Sequence, residues 1–190
     1  MERMILASGS PRRKQLLEWA EVPFDILVKE TAETWPLGMA VAEVPVHIAR
    51  NKALAVQALV AATVPDRVIL AADTVVVLGE EIIGKPRDRA DAVDILSRLA
   101  GQRHEVITGV VLLNGEEEVS FYDRTAVWFH PLSQPEIENY VDKYSPYDKA
   151  GAYAIQEWIG VVGIKGIDGD FYNVMGLPVS RVVQALRKFS

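Results

Sequence analysis

The sequence predicts an α/β protein, and three observations carry that expectation. Strand-like and helix-like patterns alternate along the chain. A nearly unbroken apolar and β-branched run at residues 68–78 marks a strand buried on both faces. Helix-opening signals stand at Ser10, Asp88 and Ser133.

The elements follow in order. Met4-Ile5-Leu6-Ala7 is a short apolar strand that breaks into Ser8-Gly9-Ser10-Pro11-Arg12-Arg13-Lys14. There Ser10 is placed to cap a helix and Pro11 to occupy its first position. Residues 29–44 read as irregular, with two proline-bounded turns, and residues 46–62 as a helix rich in alanine. After the strand at 68–78, Gly79-Glu80-Glu81 turns the chain toward a short Ile82-Ile83 strand, and Gly84-Lys85-Pro86 turns it again. Asp88 caps a helix whose apolar positions Ala92, Ile95, Leu96 and Leu99 share one face until Gly101. Residues 105–113 and 119–129 flank Asn114-Gly115, a hairpin signal. Ser133-Gln134-Pro135-Glu136 is a capping box opening a helix to about Tyr144. The last third reads as turn-rich and short-stranded, closed by an amphipathic helix over residues 177–189.

Composition narrows the function. The 190 residues are 49% apolar and 24% charged, enough for one well-filled core or two lobes. A net charge of −6 argues against a nucleic-acid polymer or a membrane surface as partner. An anionic small substrate would need a few cations concentrated in one place. The absence of cysteine excludes disulfides, thiolate metal sites and cysteine nucleophiles. No signal peptide or membrane-spanning stretch is visible, so a cytoplasmic protein is expected.

Several residues stand out chemically. The turn at residues 8–14 stacks three cations where the helix dipole is already positive, unfavourable by about 0.3–1 kcal/mol each when exposed. It is either a solvated basic turn or a cradle for an anion such as phosphate. Asp73 interrupts an apolar strand, where an unpaired carboxylate is costly. It marks a bulge bonded to nearby backbone, or else a metal ligand or general base. Lys52 lies among alanines, its stem able to cover apolar surface, and Lys85 sits in a rigid turn suited to a phosphate contact or simply to water. In residues 148–156, small residues crowd Lys149 and Gln156, as close backbone approach and a ligand-facing amide would require. Asp170 and Asn173 read as ordinary turn residues. Glu116-Glu117-Glu118 reads as a solvated loop at the hairpin tip, and the three histidines lack metal-ligand spacing. A P-loop, a GxGxxG fingerprint and a GxSxG elbow are all absent.

Five segments in order resemble the Maf family of nucleoside triphosphate pyrophosphatases: residues 6–13, Ala49-Arg50-Asn51-Lys52-Ala53, Ala72-Asp73-Thr74-Val75-Val76 with Gly84-Lys85-Pro86, residues 148–156, and Asn173-Val174-Met175-Gly176-Leu177-Pro178. The resemblance implies a mixed twisted sheet in two lobes around a deep cleft, similar to the inosine triphosphatase fold, with residues 1–190 as one Maf-like domain. It also implies a divalent metal cofactor (Mg or Mn), a cytoplasmic homodimer, and cleavage of a nucleoside triphosphate between the α and β phosphates. On its motifs, Asp73 is the proton acceptor for water and a metal ligand with Glu33. Ser8, Arg13, Lys52 and Lys85 hold the triphosphate. Arg12, Thr74 and Gln156 select the base, a combination that looks like the dTTP/UTP branch. The branch acting on 7-methylguanosine triphosphate tends to carry Tyr, Gln and Glu at those places. The alternatives are the same chemistry on 7-methylguanosine triphosphate and, in a different class, a nucleotide-sensing regulator of cell division without turnover. Residues 34–46 and Glu157-Trp158-Ile159-Gly160 depart from the commoner members.

Overall fold

A computed structural model describes residues 3–189. Its elements in chain order are β1 (Met4–Leu6), α1 (Pro11–Trp19), β2 (Phe24–Ile26), α2 (Val44–Val60), β3 (Ile69–Leu78), β4 (Glu81–Ile83), α3 (Arg89–Leu99), β5 (Arg103–Asn114), β6 (Glu117–Phe129), α4 (Gln134–Tyr144), α5 (Trp158–Gly163), β7 (Ile164–Asp168), α6 (Phe171–Met175) and α7 (Val179–Leu186). Short 3-10 turns occupy Ala150–Ala152 and Arg187–Phe189. One seven-stranded sheet runs in the order β2-β1-β3-β5-β6-β7, with β4 on β3. It is mixed: β1 is parallel to β2 and β3, whereas β4 and β7 run antiparallel to their partners. The α/β expectation and the mixed sheet are therefore met.

Two compact units divide the chain. The first comprises Met1–Thr74, Thr108–Asp123 and Gly176–Ser190, and the second Val75–Ile107 and Arg124–Met175. In the first, α2 turns Val46, Ala49, Ala53, Val56 and Val60 onto Ile5, Ala7, Ile69, Ala71, Val111 and Leu113. The three- and four-residue spacing puts these α2 residues on one stripe. Each fully buried valine or isoleucine contributes about 1.5–3 kcal/mol against exposure. In the second unit, α3 packs on α4. A buried aromatic cluster joins His104, Phe129 and Tyr153 in edge contacts with centroids 5.0–5.5 Å apart.

The caps behave as the sequence requires. Asp88 accepts from the Asp91 N–H at 2.9 Å, and the Ser133 N–H donates to Glu136 at 2.7 Å. Ser10 caps α1 more loosely, its hydroxyl 3.5 Å from the Arg13 nitrogen.

Three expectations need correction. The last third carries helices α5 and α6 as well as strand β7, and the closing helix begins at Val179. Five- and six-residue helices are too short for a periodic pattern to identify them. Asn173 is wholly buried in the second unit rather than an ordinary turn residue. Its amide donates to Val106 O and Thr125 Oγ1, both at 3.1 Å, while its own N–H meets Asp170 as a turn would. Glu118 is not merely solvated: it lies in β6 and accepts from Arg50 of α2 at 2.7 Å. Among the described residues, no helix is long and apolar enough to cross a membrane.

Candidate active site

The opening turn is built around a buried arginine. α1 begins at Pro11, so Arg13 falls on its inward face beside Leu16 and Leu17, and its guanidinium is taken up by the protein itself. Nε donates to Gly176 O at 2.7 Å, Nη1 to Ser8 Oγ at 3.2 Å, and Nη2 to Thr74 Oγ1 at 3.0 Å. Burial lowers the Arg13 pKa, opposed by the negative charges of Asp73 and Glu33. Gly176 has φ +117°, a backbone state that side chains rarely adopt, and this conformation presents its carbonyl to Arg13. Two N–H groups of the turn are satisfied internally, since Ser8 Oγ accepts from Ser10 N at 3.2 Å and Ser10 Oγ from Arg13 N. Arg12 is half-buried in the same first turn.

A second constellation adjoins this one along β3. Lys52 projects from α2, and its ammonium lies 2.8 Å from both Asp73 Oδ1 and Glu33 Oε1. Asp73 and Lys52 are mostly covered (14% and 18% exposed), whereas Glu33, from the irregular stretch after β2, is 45% exposed. The question raised by a carboxylate inside an apolar strand thus has a structural answer: Asp73 is paired with a cation. Its neighbour Thr74 shares a hydroxyl–hydroxyl bond of 2.9 Å with Thr108 on β5. Ser8, Arg13 and Thr74 therefore form one network and Glu33, Lys52 and Asp73 another, linked by consecutive residues of one strand.

Lys85 and Gln156 belong to the second unit. Lys85 is exposed in the turn after β4, and Gly84 O in that turn accepts from Gly151 N at 3.1 Å. Gln156 is exposed immediately after five consecutive buried residues, 151–155. Gly151, with φ +71°, lies so close to Val76 that a Cβ there would stand 2.8 Å from its methyl. Both the conformation and the close approach require glycine.

The donor chemistry bears on a metal. No cluster of three or more histidine, cysteine, aspartate or glutamate side chains occurs among the described residues. Two carboxylates do converge on one ammonium. Such a pair suits Mg²⁺, which commonly takes one or two carboxylates and completes its shell with water and substrate phosphate oxygens. Glu33 and Asp73 are thus oxygen donors of the kind such a cation takes.

Thr108 was missed by sequence reasoning although its signal resembles that of Asp73: a polar residue, fully buried, within the apolar run Val106-Ile107-Thr108-Gly109-Val110.

Comparison with known proteins adds the whole chain to these local features. Residues 3–189 match the family described as Maf-like protein. A dTTP/UTP pyrophosphatase of Cytophaga hutchinsonii is 51% identical over 97% of this chain and 83% of its own length. Proteins of the same name from Bacillus cytotoxicus and Bacteroides thetaiotaomicron are 45% and 44% identical, over 100% and 98% of this chain and 96% and 95% of their own lengths.

Proposed function

The chain belongs to the Maf family, and we propose that it is a pyrophosphatase hydrolysing dTTP and UTP to the monophosphate and pyrophosphate. The observation that carries the chemistry is the Lys52 ammonium set 2.8 Å from each of two carboxylates. Water attack on phosphorus needs an oriented nucleophile, neutralised oxygens and a stabilised leaving group. In this reading the Asp73 carboxylate takes the proton of the attacking water, and the Lys52 bond at Oδ1 fixes its orientation. Glu33 and Asp73 would hold a divalent cation, which when bound neutralises phosphate charge. Lys52 and Lys85 supply further positive charge to the triphosphate.

Ser8 and Arg13 line the phosphate side as a preset frame, because Arg13 is already locked onto Ser8, Thr74 and Gly176. Gln156 presents an amide that can both donate to and accept from a pyrimidine edge. Arg12 acts with it. The hydroxyl of Thr74 accepts from Arg13, shares a bond with Thr108 and lies 3.5 Å from Gly176 O, so within the base-selecting set it contributes a hydroxyl already held by the protein. The family resemblance supports a cytoplasmic homodimer as well, which light scattering and cell fractionation would test.

The test is a metal-dependent assay over a nucleoside triphosphate panel that separates released phosphate from pyrophosphate. Pyrophosphate from dTTP and UTP is expected. Asp73→Asn, nearly isosteric, is expected to lower kcat by roughly 10²–10⁴-fold with the fold retained by circular dichroism. Unchanged turnover would exclude Asp73 as the base, and pyrophosphate from a different base would overturn the substrate assignment.

A further inference from the structure

Gln156 is held by a residue that sequence reasoning gave no reason to notice. Tyr140, on the buried face of α4, is wholly covered. Its hydroxyl accepts from the Ala154 N–H at 3.2 Å and donates to the Glu157 carboxylate in a short contact. Those two residues stand on either side of Ile155-Gln156, so a single oxygen grips both ends of the two-residue step that carries the exposed amide. The backbone closes the same step, with Glu157 N donating to Ala154 O at 3.1 Å. Upstream, Gly151 and Ala152 adopt left-handed φ of 71° and 59°, a conformation that is strained for the alanine. The segment is therefore forced into one shape and then pinned immediately beside Gln156.

A tyrosine retained only to fill space would need no oxygen. This one places a buried hydroxyl between a backbone donor and a carboxylate acceptor, satisfying both of its hydrogen-bonding roles. Burial and the Glu157 carboxylate both raise its pKa, so the proton stays on the phenol as the donor to Glu157.

We propose that Tyr140 is a positioning residue for base selection: its hydroxyl fixes Ala154 and Glu157 and so sets where the Gln156 amide meets the pyrimidine edge. The inference rests on the reading of Gln156 as the base-contacting residue.

The experiment measures kcat and KM for dTTP, UTP and GTP with the full chain as wild type, Tyr140→Phe, Gln156→Ala and the double variant. Gln156→Ala is expected to lower the dTTP-over-GTP ratio of kcat/KM by about tenfold. Tyr140→Phe removes one oxygen and is expected to lower the same ratio about fivefold, through KM for dTTP more than through kcat. In the Gln156→Ala background the further loss from Tyr140→Phe should shrink to less than about twofold, since the two act through one contact. An equal fall for all three nucleotides, or an undiminished effect in the double variant, overturns the positioning role while leaving Gln156 in place. A ratio unmoved by Gln156→Ala overturns the reading beneath it, and the inference with it. Should Tyr140→Phe not fold, Glu157→Gln weakens the same grip from its other end, and it too should lower the ratio. An unchanged ratio there counts against the proposal.

Discussion

Arg13 illustrates how a residue's type and its role can separate. A phosphate-binding arginine is ordinarily expected to aim its guanidinium outward, yet three nitrogens of Arg13 donate to Ser8, Thr74 and Gly176. Lysine cannot reproduce that fork, and its compact ammonium would be left in a buried site. Arg13→Lys is therefore expected to lower the unfolding free energy by about 3 kcal/mol, measured by urea titration, because two or more charge-assisted bonds are lost. A clamp acting on substrate alone would raise KM and leave the urea midpoint where it was. At this scale legibility followed chemistry. Asp73 was visible because a carboxylate among β-branched residues demands a partner. That partner, Lys52, stood out among alanines, but nothing local paired it with Asp73. Glu33 sits exposed in a stretch without regular structure, so only the family resemblance pointed to it. Tyr140 carried no sequence signal, since its meaning lies in two bonds to residues at least fourteen positions away.

Among the elements, α2 matters most to the site because it delivers Lys52, and a glycine sets how closely it can approach β5. A Cβ on Gly109 would lie 2.2 Å from Val46 N and 2.3 Å from Pro45 C, both backbone atoms that cannot rotate aside. Gly109→Ala must push the first turn of α2 off the strand, and overpacking of this kind costs about 1–3 kcal/mol or more. The expected result is a fall in thermal midpoint of roughly 3–10 °C, taking about 2–4 °C per kcal/mol for a chain of this size. Turnover per folded molecule should fall too, since the Lys52 ammonium would shift from Asp73. An unchanged midpoint would show that the approach is looser than the distances state. The long elements were legible for the same reason that they are stable: α3 and α4 carry explicit caps, and β3 carries a long apolar run. β2 was not, because three residues at the sheet edge, two of them exposed, offer no alternation to read.

For the molecule as a whole, acid stability isolates one buried group. His104 is 1% exposed, with Nε2 2.6 Å from Tyr153 Oη and Phe129 at its edge. Burial, helped by the positive charge of Arg103, lowers its pKa from 6.5 to about 4. The folded protein thus keeps the imidazole neutral while the unfolded chain takes up a proton below 6.5, so unfolding gains a proton and stability falls as pH falls. The loss begins near 6.5 and is complete near 4, a total of order 3 kcal/mol from the quoted shift. Several carboxylates act lower on the scale. Asp25, Asp91, Glu118, Glu136 and Asp142 are held below their ordinary values of 3.8 or 4.5, chiefly by hydrogen bonds to their partners. Their stabilisation is present above those ordinary values and is lost only as pH falls further, through the lowered ones. Between pH 6.5 and about 5.5, before those carboxylates take up protons even in the unfolded chain, the slope of unfolding free energy therefore carries the His104 contribution with little from them. His104→Gln, which cannot titrate yet can still bond Tyr153, should flatten that slope by up to about 1.4 kcal/mol per pH unit in urea titrations across the window. Parallel curves for the two proteins would mean that His104 takes its proton in the folded state as readily as in the unfolded one, and that the aromatic cluster around it opens to water.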